Sequence, residues 1–180
     1  MNALAIAVGV DMKTIQSWIG ILESSYVIYM LRSHHKNFNK VLVKRPKVYF
    51  TDPSLVCHLL EIRSQTQLQT HSQRGAIFEG MIVIELLKQR FNSGQTSNIY
   101  FWRDKTGREI DVIMDNGEQL IPLEIKSGMT ITSDYFKNIK YWTNLSKQDR
   151  ALILYQGKQE QKRSDGSHVL NWRNYFLAIN

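Results

Sequence analysis

Residues 107 to 127 read Gly-Arg-Glu-Ile-Asp-Val-Ile-Met-Asp-Asn-Gly-Glu-Gln-Leu-Ile-Pro-Leu-Glu-Ile-Lys-Ser. A period of two runs through this stretch, and Asn116-Gly117 interrupts it, which is a hairpin signal. Ile110, Val112 and Met114 are expected on one face of the first strand, with Ile121, Leu123 and Ile125 on one face of the second. The opposite face then carries Glu109, Asp111, Glu124 and Lys126. A two-residue turn sets Asp111 opposite Pro122 and diagonal to Glu124, whereas a four-residue loop sets Asp111 directly opposite Glu124. Either register holds the two carboxylates within about 5–8 Å, measured between Cβ atoms.

Two close carboxylates repel and call for a cation. Mg²⁺ suits one or two carboxylates completed by waters and substrate phosphate. Lys126, two residues beyond Glu124, adds a positive charge able to steady a phosphoryl transition state or orient an attacking water. The same spacing also fits a solvated sheet face laced with cross-strand ion pairs.

Working outward, the chain has 180 residues, enough for one domain or two small ones. Its hydrophobic content of 43%, with 11% aromatic, supports a packed core. A net charge of +7 and a pI near 9.5 favour a polyanionic partner. Cys57 stands alone, which excludes an internal disulfide and fits a reducing compartment. No signal-peptide pattern is visible, and no apolar run reaches the ~18 residues of a membrane helix. The expectation is a soluble, cytoplasmic protein without a membrane partner.

Toward the N-terminus, Asn2 to Val8 and Met12 to Ser24 read as two helices, with Asp11 as the N-cap of the second. Ile15, Trp18, Ile19 and Leu22 give that helix an apolar stripe. Two short helices joined by a Gly-containing turn resemble a helix-turn-helix. Such a domain usually has one more helix ahead of the pair, so residue 1 is expected to lie inside a larger parent chain. Tyr26 to Leu31 and Val41 to Phe50 read as strands of a wing. No acid occurs from Ser24 through Thr51, while Lys36, Lys40, Lys44, Arg45 and Lys47 do. These five are the expected phosphate contacts with DNA. A basic loop facing water or an acidic protein fits the same run.

Asp52-Pro53 starts a short helix over residues 51 to 64, and Gln65 to Gln73 reads as a polar surface loop. A boundary near residue 70 divides the chain into parts 1–70 and 71–180. Gly75 to Phe91 is the long helix of the second part. Its polar side carries Glu85, Lys88 and Gln89, whereas Glu79 lies among Ile82, Val83 and Leu86. A carboxylate there is costly unless it is paired or metal-bound. Then come an aromatic strand at Asn98 to Arg103, the hairpin, a helix from Ser133 to Leu145 and an apolar strand at Ala151 to Tyr155. A charged loop over Gly157 to Gly166 and a last strand and turn over His168 to Phe176 complete the order.

Glu79, Asp111 and Glu124-Ile125-Lys126 together resemble the PD-(D/E)XK nuclease superfamily. The resemblance implies an α/β fold with a restriction-endonuclease-like α-β-β-β-α-β core sheet and flanking helices. It also implies catalytic residues Glu79, Asp111, Glu124 and Lys126, with the three acids binding Mg²⁺. Ile110 stands where the motif's proline would be. A second resemblance runs through residues 5–31, 43–52, 74–79, 100–111 and 123–128, including Phe-Trp-Arg-Asp-x-x-Gly-x-Glu-Ile-Asp. These stretches are similar to the C-terminal region of prokaryotic P-loop (AAA+-type) ATPases, an uncharacterised domain with a winged-helix-like and a nuclease-like part. No Gly-x-x-x-x-Gly-Lys-Ser/Thr loop is present, so ATP hydrolysis by that route is excluded for these residues. The chain is accordingly expected to be a fragment, a separate domain or a stand-alone remnant of such an ATPase. Two functions follow as expectations: a Mg²⁺-dependent DNA nuclease or nucleic-acid-processing module, or an inert DNA- or protein-binding platform that docks to a P-loop ATPase.

Overall fold

The computed structural model describes residues 2–34 and 45–178. Helices α1 (Asn2–Val8) and α2 (Met12–Ser24) come first, followed by a ribbon of β1 (Ile28–Leu31) and β2 (Lys47–Phe50). Asp11 caps α2 as its residue type predicts, accepting from the Lys13 and Thr14 backbone amides at 2.8 and 3.0 Å. The predicted stripe on α2 is buried only at Ile15, and Trp18 and Leu22 face solvent. An amphipathic period marks a face that is ready to be covered, and here only its first residue is fully buried.

Strands β1 and β2 pair antiparallel, with Tyr29 opposite Tyr49 and Leu31 opposite Lys47. Helix α3 (Pro53–Leu59) starts with Asp52 accepting from the Ser54 amide, and it is shorter than the residue 51–64 span that the sequence predicts. The stretch read as a surface loop contains a second short helix, α4 (Gln65–Thr70). Its cause is a capping box: Ser64 Oγ accepts from the Gln67 amide and Gln67 Oε1 accepts from the Ser64 amide, both at 3.2 Å. This S-x-x-Q pattern stood in the sequence and outweighs the polar composition.

Helix α5 (Arg74–Asn92) buries Phe78, Ile82, Val83, Leu86 and Leu87 against one face of a mixed sheet. That sheet holds β3 (Ile99–Arg103), β4 (Glu109–Asp115), β5 (Leu120–Lys126), β6 (Ala151–Tyr155), β7 (Gln161–Lys162) and β8 (Ser167–Asn171). Their spatial order is β3-β4-β5-β6-β8-β7. The first three run antiparallel, whereas β5, β6 and β8 are parallel neighbours. Parallel strands need a crossover, and α6 (Lys137–Ser146) lies in the connection between β5 and β6. Ile139 and Trp142 of α6 cover the other face, against Ile110, Ile113 and Ile153. Strand β6 is buried throughout, as expected of a strand with helices on both faces. The charged stretch from Gly157 to Gly166, read as loop, contributes the two-residue edge strand β7.

The ribbon does not stand apart from this sheet. Phe101 of β3 donates to the Arg32 carbonyl at 3.0 Å and accepts from the His34 amide at 2.8 Å. An edge strand with open hydrogen-bonding groups is thereby covered along part of its length. Leu31 and Tyr49 enter the same core as α5 and the sheet. Tyr49 can do so because residue 80 is glycine, where a Cβ would lie 3.3 Å from the Tyr49 ring.

The central hairpin takes the longer of its two possible loops. Asp115 pairs with Leu120 and Val112 with Leu123, so residues 116–119 form the turn. Gly117 sits at φ 84°, which explains a glycine at that place. One departure from strict alternation matters for function. Tyr100 pairs with Ile113 and Trp102 with Ile110, so Asp111 and Val112 together face Phe101. This is a β-bulge. It moves Ile110 off the face of Val112 and Met114, where the sequence places it, and into the core beneath α6.

Candidate metal centre

Three elements meet at the bulge: β2 from the ribbon, the start of α5, and the β4–β5 pair. Glu79, Glu109 and Asp111 each offer a carboxylate oxygen, and these oxygens lie within 4.8 Å of one another. Lys47 donates to Glu79 and also, at 2.6 Å, to Glu109. Tyr49 Oη donates to Glu79 at 2.5 Å. Arg103 is ion-paired with Glu109 from the neighbouring strand. On β5, Lys126 is paired with Glu124 and stands 3.8 Å from Asp111. Asp111 Oδ2 also accepts from the Ile125 amide at 2.9 Å, a bond the bulge makes available.

The electrostatics follow from crowding four carboxylates into a half-buried place. Burial, and then the charge of Asp111, push the Glu124 carboxyl up to about 8. Burial and the Glu79 charge likewise hold Asp111 above the usual carboxylate range. Burial works against the Lys47 ammonium, but the nearby acids, Glu79 first, outweigh it and raise its pKa. Lys126 follows the same pattern, with Asp111 and Glu124 outweighing burial. Glu124 is 2% exposed, and its Oε1 has no hydrogen-bond partner. A buried carboxylate oxygen without a partner is expensive.

Of the sequence-predicted residues, the structure brings Glu79 and Asp111 together. Glu124 is tied to Lys126 beside them, and the third member of the tight cluster is Glu109. Its signal was its place two residues before Asp111 on the polar side of a strand. Lys47, read as a phosphate contact, is turned inward onto Glu79 and Glu109, with its side chain 16% exposed. Arg45 is exposed, and Lys36, Lys40 and Lys44 lie outside the described residues. Tyr49 and Arg103, which the sequence reading does not assign to the site, complete its polar lining.

All ligand oxygens here are hard carboxylates, the donor type that Mg²⁺ and Mn²⁺ take. The residues therefore fit a metal cation that prefers oxygen ligands.

The raised Glu124 pKa sets a direction for stability. The folded chain holds this proton above the ordinary 4.5, so Glu124 favours folding fully below that pH. Its contribution is lost as pH rises toward 8. Glu124→Gln is therefore expected to be relatively more stable at pH 8 than at pH 5 when each is compared with the parent. Thermal melts in chelator at both pH values check this, and an equal difference at the two would contradict it.

Residues 74–175 match the family described as "Domain of unknown function (DUF4143)". The chain belongs to the DUF4143 family. Residues 1–66 match a second description, "Domain of unknown function (DUF8612)". An uncharacterised protein of Mycobacterium bovis and one of Mycobacterium tuberculosis are each 24% identical over 162 residues, covering 90% of this chain. The chain spans 35% of the length of these curated relatives. No solved structure matches. Among the described residues, no single helix is long and apolar enough to cross a membrane.

Proposed function

We propose that this DUF4143 chain carries a nuclease-like site for Mg²⁺-dependent cleavage of DNA phosphodiesters, on a restriction-endonuclease-like core running α5-β3-β4-β5-α6-β6. The observation that carries the reading is the convergence of Asp111, Glu124 and Lys126 on paired strands with Glu79 of α5, around a buried carboxylate oxygen that lacks a partner. Glu79, Glu109 and Asp111 would hold the ion, with Glu124 beside them. A bound Mg²⁺ would supply charge neutralisation for the scissile phosphate and acidify a nearby water.

The chain's own groups have separable tasks. Asp111, fixed by the Ile125 amide, keeps its carboxylate aimed between Glu79 and Lys126. Lys126 presents an ammonium that stays charged at neutral pH, suited to steadying charge that grows on a phosphate. Arg103 holds Glu109 in place. The test is Mg²⁺-dependent nicking of supercoiled plasmid, compared with the same reaction in chelator. Nicking in Mg²⁺ alone supports the reading, and no nicking in either removes it.

DNA contact through the basic segment is part of the same proposal. If Lys44 and Arg45 meet phosphates, replacing both with Ala should flatten the slope of log binding constant against log salt by roughly two units. An unchanged slope places the DNA contact elsewhere.

A second reading, an inert platform that docks to a P-loop ATPase, also has support. Lys47 already compensates two of the acids. Ile6 and Tyr26 of the N-terminal part are 75% and 81% exposed, which suits a surface that meets another protein.

A further inference from the structure

The geometry points to Lys47 as a built-in cation that occupies the acid cluster and must be displaced before a divalent ion can bind. This inference rests on the cation reading of the site and concerns what stands in the ion's way.

Lys47 Nζ is bonded to Glu79 and Glu109, two of the three carboxylates whose oxygens converge within 4.8 Å. An ammonium bonded to Glu79 Oε1 and Glu109 Oε1 competes with an ion for the same two carboxylates. Mg²⁺ and Mn²⁺ bind carboxylate oxygens at about 2.0–2.2 Å, so an ion shared by Glu79 and Glu109 would need the space between them that the ammonium now holds. Charge leads to the same result. Glu79, Glu109 and Asp111 already face three side-chain cations, Lys47, Lys126 and Arg103. Adding a divalent ion beside Lys47 would force two cations together in a half-buried space, whereas exchanging Lys47 for the ion would not.

Lys47 is not a stray surface side chain that happened to fold inward. It opens β2, whose pairing with β1 sets Lys47 opposite the fully buried Leu31. Tyr49, two residues on, is bonded to the same Glu79 and packs against Gly80. The ribbon thus brings two donors to one acid, and only one of them carries charge. When Lys47 leaves, Tyr49 stays to orient Glu79. The next residues toward the N-terminus are Pro46 and the exposed Arg45, so solvent lies close to the Lys47 backbone and a four-carbon stem has somewhere to swing.

The test compares Mn²⁺ binding by the parent chain, Lys47→Met and Lys47→Arg, using calorimetry. Met keeps an apolar stem of similar length and removes the charge. Lys47→Met is expected to bind Mn²⁺ at least ~10-fold more tightly, equivalent to ~1.4 kcal/mol, while Lys47→Arg stays near the parent value. Without the ion, Lys47→Met should melt at lower temperature than the parent, and Mn²⁺ should close that gap. A measurement on the parent chain guards against a variant that fails to fold. Acetylation of Lys47 by an amine-reactive ester, read by mass spectrometry, should rise when Mn²⁺ is added. Equal affinity in Lys47→Met and the parent, or unchanged acetylation, overturns displacement while leaving the cation site in place. Mn²⁺ binding by none of the three proteins overturns displacement and the cation reading together.

Discussion

Asp111→Asn is expected to abolish Mg²⁺-dependent plasmid nicking, lowering the rate by about 10²–10³-fold or more, and to weaken cation binding in the same step. Asp111 sits at the bulge, where it touches both halves of the site: Glu79 and Glu109 on one side, Lys126 and the Ile125 amide on the other. Asn keeps the volume and can still accept from the Ile125 amide, so the local backbone should hold. What it removes is one negative charge from a cluster already strained by repulsion. The ion-free Asn variant should therefore be no less stable than the parent, because the charge taken away is one that burial penalises. Lys126→Ala separates the two roles. It should lose cleavage to a similar extent yet bind Mn²⁺ at close to parental affinity, since Lys126 is a neighbour of the acids and offers no ligand atom. Nicking that is equal in Asp111→Asn and the parent would show that the activity does not come from this site. Melts and calorimetry run beside the nicking assay distinguish a damaged fold from a damaged site.

Trp142→Ala is expected to cost about 3–5 kcal/mol, a large share of the 5–15 kcal/mol that holds a typical domain together. Trp142 is completely buried on α6, among Ile110, Ile113, Phe136 and Ile153. Truncation leaves a void that the rigid strands β4 and β6 cannot close. Chemical denaturation should show the midpoint falling sharply with little change in slope. A loss under about 1 kcal/mol would mean that the α6 face is less tightly packed than described.

Much of the sheet was legible because its signals are local. Alternation over 109–126, the aromatic run before it and the fully apolar 151–155 each name a strand without reference to distant residues. Helix α5 was equally plain, and Glu79 stood out as an acid on an apolar side. The bulge was not legible. One extra residue in Glu-Ile-Asp-Val-Ile-Met changes neither composition nor hydrophobicity, and only the pairing with β3 shows that two residues face one. That single insertion sends Ile110 to the other core and frees Asp111 to bond the Ile125 amide. Lys47 was misplaced for a related reason. Its neighbours in sequence are basic and suggest a solvated wing, but its direction is set by the register of β2 against β1 and by the approach of α5. Those are long-range facts. Helix α4 is a different case, since Ser64 and Gln67 carried the capping signal and polar composition masked it.

The inward turn of Lys47 also changes how the two functional readings relate. A site whose charge is partly met from within can sit inert as a folded platform, and the same site can become a cation centre once the ammonium leaves. The difference between them is the occupant of one cluster.

Anomalous diffraction from a crystal soaked in Mn²⁺ addresses that occupant directly. A peak is expected within about 2.0–2.3 Å of Asp111 and Glu79 oxygens, with Lys47 Nζ withdrawn from both Glu79 and Glu109. No peak at Mn²⁺ concentrations that saturate ordinary carboxylate sites, with Lys47 still bonded to the two acids, would contradict this expectation.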